Sequence, residues 1–242
     1  MRIANRKKFM LSCIFFTLLS LLFGKNQVLC NGGSTVKGQA VMASSKDKGV
    51  LIKHKQENNK YTIVLDAGHG GVDNGTSYGN MYEKNLTLKI VKYAQEYLEN
   101  EGYNVALTRN SDVLVPLKEI GSRVNAANGD VFVSVHINSI NDTDFNGITT
   151  LYYDPKGYQT NQRIKLSEIL ENQAVKSDNW NSKGIKKQNV AVLRYSKIPC
   201  ALVECGFITN KDDRDKLSKD SVLKNLAQNI SDGIIKYLDS GK

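Results

Sequence analysis

The sequence predicts a single α/β domain: a mostly parallel, twisted sheet of about six strands with helices on both faces. Three observations carry this. Short runs such as Ile63-Val64-Leu65 and Val131-Phe132-Val133 are continuously apolar, as strands buried on both faces are. Along the chain they alternate with segments whose apolar residues recur at helical spacing. Finally, a hydrophobic content of 40% in 242 residues suffices for one sizeable core.

The first thirty residues stand apart from this pattern. Arg2, Arg6, Lys7 and Lys8 precede an apolar run from Phe9 to Phe23, which reads as a secretory signal peptide over residues 1–30. The run is shorter than the roughly 20 residues of a comfortable membrane span, so cleavage is favoured over a permanent anchor. A cut after Cys30 is expected, and lipidation of Cys30 is disfavoured by the bulk of Leu29. The formal charge of +9 falls once this segment is removed. It holds five Lys/Arg and no Asp/Glu, leaving 28 basic against 24 acidic residues, or +4. That balance, without a basic stripe interleaved with aromatics, excludes a nucleic-acid partner and suits an anionic wall. Contact with a membrane is expected only through an uncleaved leader. Residues 31–60, rich in Gly, Ser, Lys, Asn and Gln, read as a flexible linker, and His54 within them as incidental.

Residues 61–240 are expected to form the folded domain. A strand at Ile63–Leu65 ends in the glycine-rich Gly68-His69-Gly70-Gly71, which forbids its continuation. Leu86, Ile90, Ala94 and Leu98 define a helix over Glu83–Asn100, closed by Gly102. A strand over Asn104–Thr108, a helix over Leu117–Ala127 and a strand from Val131 follow. Then come a strand over Gly147–Tyr153, a helix over Tyr158–Lys176, a polar loop over Ser177–Gln188 and a short strand over Val190–Leu193. A strong strand over Cys200–Cys205, a helical turn over Asp212–Leu217 and a last helix capped by Ser221 complete the domain. Cys200 and Cys205 lie roughly 16 Å apart at 3.3 Å per residue and face opposite ways, so they cannot pair.

Two of only three histidines, His69 and His136, stand just beyond or at the carboxyl ends of strands, where open α/β sheets keep their sites. Imidazole is the commonest metal ligand, and a third donor is expected from an acid at the same edge. Glu83, opening the helix that returns from the His69 loop, fits that place, though a glutamate in a first helical turn also serves as a cap. Glu204 interrupts the apolar Ala201-Leu202-Val203, and a carboxylate is seldom buried without reason. Either a salt bridge to an arginine such as Arg123 or a catalytic role would explain it.

The motifs Asp66-Ala67-Gly68-His69-Gly70-Gly71, Tyr82-Glu83-Lys84, Arg123 with Ala127-Asn128, Ser134-Val135-His136-Ile137-Asn138 and Val203-Glu204-Cys205-Gly206-Phe207-Ile208-Thr209-Asn210 occur in this order. Over residues 61 to 238 the chain resembles the zinc-dependent N-acetylmuramoyl-L-alanine amidases of the type 3 group. Ala67, where proline is usual, and Cys205, where a small or aliphatic residue is more frequent, are the departures. The resemblance implies a zinc-exopeptidase-like fold, one Zn²⁺ bound by His69, Glu83 and His136, Glu204 as the catalytic carboxylate, and Arg123 and Asn138 as substrate-binding residues. It also implies peptidoglycan as substrate and an exported protein, placed in the wall, outside the cell or, for the sporulation branch that prepares spore cortex, in the forespore intermembrane space. An activating protein partner is a further expectation.

Two other classes fit the residues less well. A zinc carboxypeptidase or aminopeptidase is disfavoured because His69 lacks the closely spaced downstream acid that completes their first ligand pair. A non-catalytic wall-binding module is disfavoured by the coexistence of Glu204 with all three ligand candidates. Some amidases of this kind carry an extra helix that plugs the site; the segment between Tyr153 and Val190 leaves little room for one, so an open site is expected.

Overall fold

The computed structural model describes residues 61–241. The expected signal peptide, linker and His54 lie outside the described residues.

A six-stranded sheet runs in the order β4 (Asn104–Leu107), β1 (Thr62–Ala67), β5 (Val131–Asn138), β8 (Cys200–Phe207), β6 (Ile148–Tyr152), β7 (Ser182–Lys187). The first four are parallel; β6 is antiparallel to β8, and β7 is parallel to β6. The expected mostly parallel sheet therefore carries a reversed pair at one edge. A small hairpin, β2 (Ser77–Tyr78) with β3 (Met81–Tyr82), precedes the first helix.

The two-residue period of a strand sorts the core into two layers. Ile63 and Leu65, Val131, Val133 and Val135, and Ala201, Val203 and Cys205 face one side, packed on α1 (Glu83–Asn100), α3 (Thr160–Ala174) and α6 (Asp220–Asp239). Val64, Phe132, Cys200 and Leu202 face the other, packed on α2 (Leu117–Ala126) and the single turn α4 (Ala191–Arg194). Asp66, Ser134, His136 and Glu204 continue the parity of this second face, at the carboxyl ends of the three central strands. That thinner layer leaves room for a site. Cys200 and Cys205 are both buried and free, as their spacing predicts.

Three local expectations are corrected. Val190–Leu193 is not a strand but leads into α4, because Val192 and Leu193 are buried against the α2 layer while the Arg163 guanidinium holds the Leu193, Ser196 and Ile198 carbonyls. The Ser177–Gln188 stretch is not wholly loop, since Ser182–Lys187 adds the edge strand β7. Its polar, lysine-rich sequence is that of an edge with little to bury. Ser221 is not the cap of the last helix: Lys219 holds that position without a side-chain bond, and Asp220 opens the helix. The short α5 (Lys211–Leu217) is instead capped as such helices usually are, by Asn210 accepting from the Asp213 amide. Among the described residues no helix is long and apolar enough to cross a membrane.

Candidate metal and catalytic site

At the end of β1 the ladder continues one residue further, the Gly68 amide donating to the Val135 carbonyl at 3.0 Å. The chain then turns sharply. His69 takes a left-handed conformation (φ 62°), and Gly70 and Asp73 exchange backbone hydrogen bonds of 2.9 and 3.1 Å that close the turn. Such a conformation is costly for a residue with a side chain and persists where surroundings impose it. Gly68 leaves the space that His136 occupies, since any Cβ there would collide with the imidazole.

His136 arrives on β5, whose register with β8 slips between His136 and Asn138. On the opposite edge, toward β1, the chain turns away after Gly68 and leaves the Ile137 amide without a ladder partner, and it donates to Glu83 Oε1 at 3.0 Å. Glu83 sits in the first turn of α1, only 3% exposed, and takes a further donor from the Thr76 amide at 2.8 Å. Its two oxygens face the two imidazoles: Oε1 accepts from His136 Nδ1 at 2.9 Å, and Oε2 lies 3.1 Å from His69 Nε2. His69, Glu83 and His136 thus offer three ligand atoms within 4.8 Å of one another.

The electrostatics are those of cations held by a carboxylate. Burial opposes the charge of Glu83, yet hydrogen bonds from His136 and His69 hold it well below the usual carboxylate range. The Glu83 hydrogen bond, against the cost of burial, raises His69 to about 9, with Asp73 assisting. Burial works against His136 as a cation, but Glu83 and Glu204 outweigh it and its pKa is raised. The donor set fits a dication: two imidazoles and a carboxylate are the ligands of hydrolytic zinc sites. A metal ion would take the place of the protons that now balance Glu83.

Glu204 lies on β8 beside His136 on β5 and opposite Thr149 on β6. Its Oε2 is buried without a hydrogen-bond partner. Burial raises its pKa to about 7, the charge of His136 pulling the other way. The salt bridge to Arg123 considered from sequence does not form: Arg123 donates to Glu119 Oε1 at 2.6 Å and to the Thr108 carbonyl at 2.5 Å. Asn138 closes β5, its Oδ1 accepting from the Ser139 amide at 2.8 Å. Asp73 was not singled out from sequence. It stands four residues after His69 and accepts from His69 Nδ1 at 2.9 Å, so it orients the ring and leaves Nε2 toward Glu83. The signal was available, an acid just beyond a glycine turn, and it qualifies the statement that His69 has no closely spaced acid.

A cavity of about 280 Å³ is lined by the two histidines together with the apolar Leu114, Pro116, Leu117, Ile120, Val190 and Val192. The side chains of His69 and His136 remain 26% and 19% exposed, so solvent reaches both.

A predominantly parallel sheet with a metal-capable His, Glu, His cluster and a half-buried carboxylate at its carboxyl edge describes an α/β hydrolytic enzyme. Comparison with known proteins gives the family. The profile of the N-acetylmuramoyl-L-alanine amidases matches residues 63–236, and the chain belongs to that family of peptidoglycan amidases. It is 35% identical over 182 residues to the probable cell wall amidase LytH of Staphylococcus aureus, covering 74% of this chain and 59% of LytH. The chain therefore spans less than two thirds of that relative. The crystal structure of an N-acetylmuramoyl-L-alanine amidase from Clostridium difficile 630 matches with a TM-score of 0.71 at 32% identity, covering 76% of this chain and 100% of that one. The CwlD amidase of Clostridioides difficile, solved in complex with the GerS lipoprotein, matches with a TM-score of 0.70 at 28% identity, covering 74% and 99%.

Proposed function

We propose that this amidase is zinc-dependent and exported, and that it cleaves the amide between the lactyl group of N-acetylmuramic acid and L-alanine of peptidoglycan. The observation that carries the reading is the convergence of His69, Glu83 and His136 beside Glu204, one of whose carboxylate oxygens is buried without a hydrogen-bond partner.

His69, Glu83 and His136 would hold the ion. Zinc so bound supplies polarisation of the scissile carbonyl and water of lowered pKa. Asp73 fixes the His69 ring, and the Thr76 and Ile137 amides fix both oxygens of Glu83. Glu204 is the proton carrier: with a pKa raised by burial to about 7 it takes a proton from the attacking water and returns it to the departing alanyl amine. The scissile bond is flanked by two methyl groups, one lactyl and one alanyl, and the apolar wall of Leu114, Leu117 and Val192 suits them. Arg123 and Asn138 are assigned to substrate on the family pattern alone.

Residues 1–30 as a signal peptide and 31–60 as a linker place the domain in the wall, and the cell-wall name of LytH supports that placement. A protein activator rests on the likeness to CwlD, solved in complex with the GerS lipoprotein, and a role in spore cortex on the family resemblance alone.

The test is zinc analysis of the purified full-length chain together with mass spectrometry of peptidoglycan digests. One zinc per chain and stem peptides with a free L-alanyl amino terminus are expected. Shortened stems still joined to muramic acid would show a peptidase instead.

A further inference from the structure

Arg109 follows the edge strand β4 and is 3% exposed, yet none of its hydrogen bonds goes to a carboxylate. Nε donates to the Ala67 carbonyl at 2.8 Å, and Nη2 to the Gly68 carbonyl at 2.9 Å, to the Lys84 carbonyl at 2.9 Å and, more weakly, to Thr87 Oγ1 at 3.3 Å. Nη1 donates to the Ser111 carbonyl at 3.0 Å. The Thr87 hydroxyl closes the ring by donating to the same Gly68 carbonyl at 2.9 Å. Ala67 and Gly68 are the two residues before His69, and Lys84 is the residue after Glu83. A single rigid, planar group therefore ties the backbone that delivers one imidazole to the backbone that delivers the carboxylate.

The following residues clasp the other end of the same loop. Asp112 accepts from the Gly71 amide at 2.7 Å and from Lys84 Nζ at 3.0 Å, while Lys84 Nζ donates to the Gly71 carbonyl at 2.6 Å. His69 is thus held between two clamps, both drawn from the 109–112 segment and the start of α1. The strained turn at His69 needs such support, because its left-handed backbone is not its own preference.

We propose that Arg109 is a positioning residue for the metal site: it sets His69 and Glu83 at mutual ligand distance before any ion arrives. This rests on the zinc reading given above. A lysine in its place keeps the charge but presents one nitrogen where three now diverge, so it cannot hold the Ala67, Gly68 and Lys84 carbonyls together.

The test measures zinc affinity of the metal-free full-length chain by competition with a chromophoric chelator, alongside thermal unfolding of the same metal-free samples. Arg109→Lys should weaken zinc binding roughly 10- to 100-fold, the usual effect of removing support around a ligand. Arg163→Lys is the control. Arg163 is just as buried and clamps three carbonyls, those of Leu193, Ser196 and Ile198, none adjoining a proposed ligand. It should lose thermal stability and keep wild-type zinc affinity. If Arg109→Lys does not fold, Thr87→Val removes one link of the clamp and leaves the arginine in place; it should weaken zinc several-fold, by about the worth of one hydrogen bond. Wild-type zinc affinity in the folded Arg109→Lys chain, or in Thr87→Val, would overturn the proposal, as would an equal loss of affinity in Arg163→Lys. A wild-type chain that binds no zinc would instead overturn the zinc reading and this proposal with it.

Discussion

His136 and Glu204 are partners in register on adjacent parallel strands, so the two side chains leave the same face of the sheet side by side. One is placed as a ligand and the other as a proton carrier, and their separate removal should separate binding from chemistry.

His136→Ala takes away one imidazole and leaves the cavity behind it. The variant is expected to lose most of its zinc and its activity on peptidoglycan. Elemental analysis decides the matter, since full occupancy in this variant would remove His136 from the ligand set.

Glu204→Gln keeps shape and removes the base. Zinc should remain at wild-type stoichiometry while turnover falls by roughly 10² to 10⁴. Loss of the metal would mean that Glu204 is itself a ligand, and near-normal turnover that the proton moves elsewhere.

Gly75 lies against the site with φ 63°, where a Cβ would collide with Glu83 Oε2 and stand 2.6 Å from His69 Cδ2. Gly79 has almost the same backbone, φ 57°, with nothing within 4 Å. Alanine at either position should cost about 1 to 2 kcal/mol through left-handed strain, but only Gly75→Ala should also weaken zinc binding. Parallel urea titrations and zinc competition on both variants check this; equal zinc affinities would show that the loop yields freely.

Glu171, on α3, accepts from Thr150 Oγ1 at 2.8 Å, Ser182 Oγ at 2.5 Å and the Gly184 amide at 3.0 Å, pinning the edge strand β7. Burial nevertheless raises its pKa above the ordinary 4.5. The folded chain therefore holds this proton at pH values where the unfolded chain has released it, so the group's contribution falls as pH rises from about 4.5 through the raised value. Glu171→Gln carries no such proton and turns an amide toward donors, costing about 1 to 3 kcal/mol. The stability gap between wild type and variant should be widest in acid and narrow as pH rises across that window. Urea midpoints over the pH range measure it, and a gap that widens instead would show that the carboxylate is more stable folded than unfolded.

Much of this architecture was legible in order along the chain. Glu83–Asn100 was readable as a helix to the residue, because its apolar positions repeat over five turns. The central strands were readable because they are buried on both faces and hence continuously apolar. β7 was not, since an edge strand with lysines on it has little hydrophobic signal, and α4 was mistaken for a strand because Val190 and Val192 favour one locally while tertiary burial settles them in a turn.

By itself the sequence determined the fold class and set His69, His136 and Glu204 at the carboxyl edge of the sheet, because strand-end placement and period-two parity are local properties. Glu83, opening a helix, was equally readable as a cap and joined them through the family resemblance. Tertiary structure alone decided how they meet. The Ile137 amide turned onto Glu83 and the Arg109 guanidinium joining residues 67, 68 and 84 depend on contacts between segments distant in the chain. Hydrogen bonds of that kind leave no periodicity for a sequence to show, since the partners are backbone carbonyls and amides that every residue possesses.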